Sequence, residues 1–165
     1  MPPGVFTLTQ ILDAPRELVW RAWTEPAQLA AWWGPRGFRT PPSTIEIDLR
    51  PGGAFRLTMV SDEDGSSYTS DMEFLEVIEP ERLVFGWAGQ RGLGPGIVTV
   101  TLRDLGSRTE MTCHYVARHP DDIYSGVRTG WSEQFERLAE HLVSPTGRPG
   151  TTDKQTGGLL EEGGS

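Results

Sequence analysis

The feature that most constrains this chain lies between residues 43 and 117, where one pattern occurs six times: a run of alternating apolar and polar side chains, then a short break of turn-forming residues. The runs are STIEIDL (43–49), AFRLTMV (54–60), YTSDMEFLEV (68–77), RLVFGWA (82–88), IVTVTLR (97–103) and TEMTCHYVA (109–117). Period-two alternation marks a strand with one face buried. The breaks RPGG, DEDGSS, EPE, GQRGLGPG and LGS favour hairpin turns over crossover helices, so the strands form one antiparallel sheet. An apolar sheet face needs a cover. DDIYSGVRTGWSEQFERLAEHLV (121–143) supplies it, because Ile123, Val127, Trp131, Phe135, Leu138 and Leu142 recur at spacings of three and four along one side of a long helix.

Upstream, VFTLTQIL (5–12) alternates in the same way and reads as a further strand. Asp13 is the expected cap of the next helix, with Pro15 near its first turn and Glu17 behind it, and Val19, Trp20 and Trp23 form its buried stripe. PAQLAAWW starts a second short helix at Pro26, which GPRG (34–37) stops. The two helices share ELVWRAWTEPAQLAAWWGPRGF, which holds four of the chain's 6 tryptophans. Beyond Val143, SPTGRPGTTDKQTGGLLEEGGS offers only Leu159 and Leu160 as large apolar side chains, too little to order itself. The expectation is one α+β domain over residues 1–143 and a disordered tail over 144–165.

Parity places Phe55, Leu57 and Met59, then Tyr68, Met72 and Phe74, then Leu83, Phe85 and Trp87 on the sheet face toward the long helix. Val98, Val100, Leu102, Met111, Cys113 and Tyr115 join them, as do Ile45, Ile47 and Leu49. Met59, Met72 and Met111 are adaptable apolar side chains, and Tyr68 and Tyr115 carry polar tips. This set fits two arrangements equally: an ordinary core under the helix, or a lined cavity with a few polar handles.

The net charge of −8 and the lack of a basic patch argue against a nucleic-acid partner. No apolar run is long enough to cross a bilayer, so no membrane partner is expected and the cytoplasm is the expected compartment. Cys113, the single cysteine, excludes an internal disulfide, and its apolar neighbours blunt its reactivity. His114 points outward by parity, His119 sits in RHPDD, and His141 lies in the last helical turn. With Asp121 and Asp122, the first two do not complete a metal site, so neither metal nor cofactor is expected. DEDGSS lacks the later glutamate of a calcium loop, and GQRGLGPG lacks the strand-to-helix context of a phosphate cradle.

The blocks AWTEPAQLAAWWGPRGF, DLRPGGAFRLTM, FLEVIEPERLVFGW and GWSEQFERLAEHL, in this order, resemble the activator-of-heat-shock-ATPase-homologue branch of the START-like, or SRPBCC, helix-grip superfamily over residues 5–143. The resemblance implies a curved antiparallel sheet of about seven strands gripping the C-terminal helix, with two short helices after the first strand and an apolar ligand cavity between sheet and helix. On that pattern Trp20, Trp23 and Trp32 are wall residues and Trp33 faces the cavity mouth. Met59, Tyr68, Met72, Phe74 and Trp87 line one half of the sheet side, and Val100, Met111 and Tyr115 the other. Val127, Trp131 and Phe135 line the helix side. The family brings no shared catalytic constellation, so the first expectation is a cytoplasmic binding protein for a small apolar or aromatic molecule. An enzyme of the polyketide cyclase or dehydratase type is the alternative, although such chemistry needs a positioned acid or base and no histidine faces inward. A chaperone ATPase-activating partner role is the third, suggested by the family's name alone.

Overall fold

The computed structural model describes residues 5–87, 96–117 and 127–143, with Trp87 and Val127 described in backbone only. The elements run β1 (Val5–Leu12), α1 (Arg16–Thr24), α2 (Pro26–Trp32), β2 (Phe38–Arg39), a 3-10 turn (Pro42–Thr44), β3 (Glu46–Ile47), β4 (Ala54–Ser61), β5 (Ser67–Ile78), β6 (Arg82–Trp87), β7 (Gly96–Asp104), β8 (Thr109–Ala117) and α3 (Val127–Val143). All strand pairings are antiparallel, in the order β1-β8-β7-β6-β5-β4, and β2 and β3 share the outer edge of β4. One curved sheet packed on a C-terminal helix, with two short helices after the first strand, is the helix-grip arrangement.

Three local readings are corrected. The helix that follows β1 has Pro15, not Asp13, as its N-cap residue: the Pro15 carbonyl accepts from the Leu18 and Val19 amides, and Pro15 makes no side-chain cap. Residues 43–49 do not form one strand, because Pro41 and Pro42 lack amide donors and turn the chain into the 3-10 helix, leaving only Glu46–Ile47 to pair with Phe55–Arg56. Phe38–Arg39 pairs with the end of β4 and brings the sheet to 8 strands instead of about seven. The tail beyond Val143 lies outside the described residues.

α1 ends because Glu25, preceding Pro26, is held extended, and α2 starts at once on that proline. The Trp32 indole N–H donates to the Ala22 carbonyl at 2.9 Å and ties the two helices together. α2 stops at Trp33, and Gly34 turns the chain with φ 102, a conformation that disfavours a side chain. A Cβ there would also stand 3.1 Å from the Met59 sulfur.

The core lies between the sheet's inner face and the three helices. All four tryptophans of the 17–38 segment are buried. Trp23 packs edge-on against Trp32 at 4.8 Å and Trp33 at 6.1 Å, while Phe55 stacks on Phe74 at 5.0 Å and meets Trp33 at 5.6 Å. Paired rings of this kind add to the area they bury, which locks the helical corner onto the sheet.

Candidate functional site

Most of the residues expected to line a cavity are brought together. Trp33, Met72, Phe74, Val100, Met111, Tyr115, Trp131 and Phe135 are all buried on the inner side, and Trp131 links the groups through Trp33 at 5.8 Å, Phe135 at 5.6 Å and Tyr115 at 6.2 Å. Met59 is only partly buried. Tyr68 is 52% exposed although it pairs with Met59 on the inner face, because this end of β4 and β5 carries its ring to Phe38 at 5.8 Å. Trp33, expected at the mouth, is an interior ring at 3% exposure. The side chains of Trp87 and Val127 lie outside the described residues, as do His119, Asp121 and Asp122.

An opening among the described residues lies elsewhere. A cleft of about 290 Å³ runs between edge strand β1 and α3, lined by Leu8, Thr9, Gln10, Ser132, Phe135 and Glu136. Strand register explains its floor. Leu8 pairs with Cys113 and Gln10 with Met111, so both share the inner face, and Phe135 projects from α3 at 2% exposure. Phe135 is the ring that connects cleft and core, standing 6.1 Å from Trp23 and 6.5 Å from Trp32. Among the described side chains, Phe135 is the one expected lining residue that touches the cleft. Gln10 carried a readable sign, as the one polar side chain in the inward series Phe6, Leu8, Gln10, Leu12.

The two flanks of α3 differ electrostatically. On the flank away from the cleft, Arg137 Nη1 donates to the carbonyls of Gly34 at 2.7 Å and Phe38 at 3.1 Å, with longer contacts to those of Trp33 and Pro35. Burial pulls the Arg137 guanidinium below its ordinary pKa, and nearby Arg36 acts in the same direction. The Gly34 amide donates to Gln134 Oε1 at 2.9 Å. Arg36 bridges to Glu140 at 2.7 Å and reaches over the helix to Glu136 at the cleft rim at 3.4 Å, and its hydrogen bond holds the Glu140 carboxyl below its usual range.

Candidate reactive groups are dispersed. Burial pushes the Cys113 thiol up to about 12, so it is no nucleophile near neutral pH. His114 is exposed and meets Thr7 Oγ1 at 2.9 Å on the outer sheet face. His141 sits beside Gln28 on the far side of the molecule's helical layer. Among the described residues no three His, Cys, Asp or Glu side chains group as metal ligands, and no helix is long and apolar enough to cross a membrane.

A family model described as Activator of Hsp90 ATPase homolog 1-like protein matches residues 13–143. Protein NE0264 of Nitrosomonas europaea is similar in structure, with TM-score 0.74 and 29% identity over 84% of this chain and 93% of its own. Protein CV1439 of Chromobacterium violaceum gives TM-score 0.72 and 28% identity over 84% of this chain and 96% of its own. DynU16, from the dynemicin biosynthetic locus, gives TM-score 0.65 and 25% identity over 90% of this chain and 49% of its own. No sequence among curated proteins matches.

Proposed function

The chain belongs to the Activator of Hsp90 ATPase homolog 1-like family, and from that premise and the cleft we infer that it binds a small apolar or aromatic molecule between β1 and α3. One observation carries the reading: the cleft opens directly onto Phe135, the aromatic floor that continues into the Trp23, Trp32 and Trp131 rings. Sites for small molecules combine apolar walls with a few polar groups that orient the ligand. Here Leu8 and Phe135 supply the walls, and Thr9, Gln10, Ser132 and Glu136 the polar rim. The reading favours holding a ligand over transforming it, because neither histidine described nor Cys113 reaches the cleft. It fits a protein of the cytoplasm that works without cofactor, nucleic acid or membrane.

Titration with naphthalene, followed by amide and side-chain NMR, tests this. We expect one molecule per chain, with shifts at Leu8, Gln10, Ser132 and Phe135. Ser132→Trp, which plugs the cleft from the helix side without entering the core, should abolish those shifts and leave the unfolding midpoint within the range of surface changes. Shifts confined to the outer face, at Thr99, Thr101 and His114, would overturn the assignment.

A further inference from the structure

The buried donors behind this cleft narrow its ligand further. We infer, on the premise of the binding role above, that the molecule carries an uncharged carbonyl-type acceptor received by the indole N–H of Trp23. Trp23 is wholly buried, its Nε1 meets no acceptor, and its ring lies 6.1 Å from that of Phe135, the floor of the cleft. Trp23 does not itself line the cleft, so the inference requires the Phe135 ring to move aside when the molecule binds.

The surrounding interior offers a further N–H donor. Gln134 is buried with its Oε1 occupied by the Gly34 amide and its Nε2 unmatched. Trp32, Thr40 and Thr109 already donate to carbonyls, those of Ala22, Trp33 and Ala14, whereas Arg16 Nε, like the nitrogens of Trp23 and Gln134, is buried without an acceptor. The buried polar side chains described are Thr40, Thr109, Gln134 and His141, so no carboxylate lies buried among the described residues to receive a cation. An unpaired buried N–H is costly and its pairing is favourable, whereas a cation would lose its hydration without a counter-charge. A hydrocarbon of the same shape leaves the Trp23 N–H as it was. A carbonyl partner satisfies it, and one neutral hydrogen bond of this kind corresponds to about tenfold in affinity.

The test uses 9-fluorenone and fluorene, one planar skeleton with and without the carbonyl, titrated into the full chain. Tryptophan fluorescence reads binding, and the infrared carbonyl stretch reads the hydrogen bond. Fluorenone should bind about tenfold more tightly, with its carbonyl stretch lowered on binding. Trp23→Phe should remove both effects. Because that change also removes core volume, Trp23→β-(3-benzothienyl)alanine, which keeps the bicyclic shape and puts sulfur in place of N–H, should remove them as well. Equal affinity for the two molecules means that an ordered water already serves Trp23; this overturns the inference and leaves the binding role standing. A fluorenone preference that survives both replacements overturns it in the same way. Binding of neither molecule overturns the inference and the binding role together.

Discussion

On one flank of α3, Arg137 and Gln134 hold the 33–38 corner through its backbone, whereas on the other flank Ser132 and Glu136 stand over Leu8, Thr9 and Gln10 with no hydrogen bond to them. The closed flank is also the aromatic one, where Trp32 and Trp33 sit under the helix. The open flank joins β1 through the Arg128 guanidinium over the Phe6 ring at 5.7 Å, near the start of the helix. Among the described residues the opening lies along the second side, where the helix rests on an edge strand. Stability and access are therefore assigned to different faces of the same element, and substitutions should separate them.

The largest expected effect is on the closed flank. Trp32→Ala removes a fully buried ring and its bond to Ala22, and should cost about 3–5 kcal/mol in urea unfolding. Leu8→Ala, in the cleft, deletes a partly buried side chain and should cost less than about 2 kcal/mol while weakening ligand binding. Comparable costs for the two would end the distinction between flanks. Next in size is Arg137→Met, which keeps the apolar stem but strips the corner carbonyls of their donor, for about 1–3 kcal/mol. Its counterpart Glu136→Gln, at the rim of the cleft, weakens an exposed contact at 3.4 Å with Arg36 and should leave the urea midpoint close to that of the wild type.

Cys113 sharpens the comparison kinetically. It pairs with Leu8 across β1 and β8, beneath the open flank, yet is wholly buried with its thiol pushed up to about 12. In the native protein it should resist a thiol reagent such as 5,5′-dithiobis(2-nitrobenzoate) near neutral pH and react on unfolding. Labelling faster than global unfolding would show that β1 lifts away from its partner, which would make the cleft deeper than its resting volume.

Sequence reading located β4 to β8 to within about a residue, because each strand repeats one alternation between strong turn signals. What depends on pairing between distant segments lay beyond it. At Leu75 a bulge shifts the β5 register, so Val77, not Glu76, faces Leu83, and no local signal announces that change. Tyr68 has inward parity but lies where the inner face is uncovered, a fact set by how far α3 reaches. The cleft was missed for the same reason, since it exists in the separation of β1 from α3 and only Gln10 betrayed it. Trp20, Trp23 and Trp32 were legible as walls because two helices joined at Glu25–Pro26 leave their rings no other side to occupy, whereas Trp33, expected at the mouth, is interior.

His141 gives the smallest expected effect and tests how tightly the closed flank is sealed. It ends α3 at 9% exposure, with Nε2 at 3.4 Å from Gln28 Oε1 on α2, and burial pulls its pKa below the ordinary 6.5. The unfolded chain therefore takes up the proton more readily than the folded one. Above roughly pH 6.5 both are neutral there and nothing is lost; as the pH falls from that value through the lower folded pKa, protonation of the unfolded chain erodes stability. His141→Gln keeps a polar group beside Gln28 but cannot titrate. Urea midpoints between about pH 7.5 and pH 5.5 should thus fall more for the wild type than for the variant. Parallel slopes would mean that water reaches His141 and that the helix is less closed along this flank than its contacts with α2 indicate.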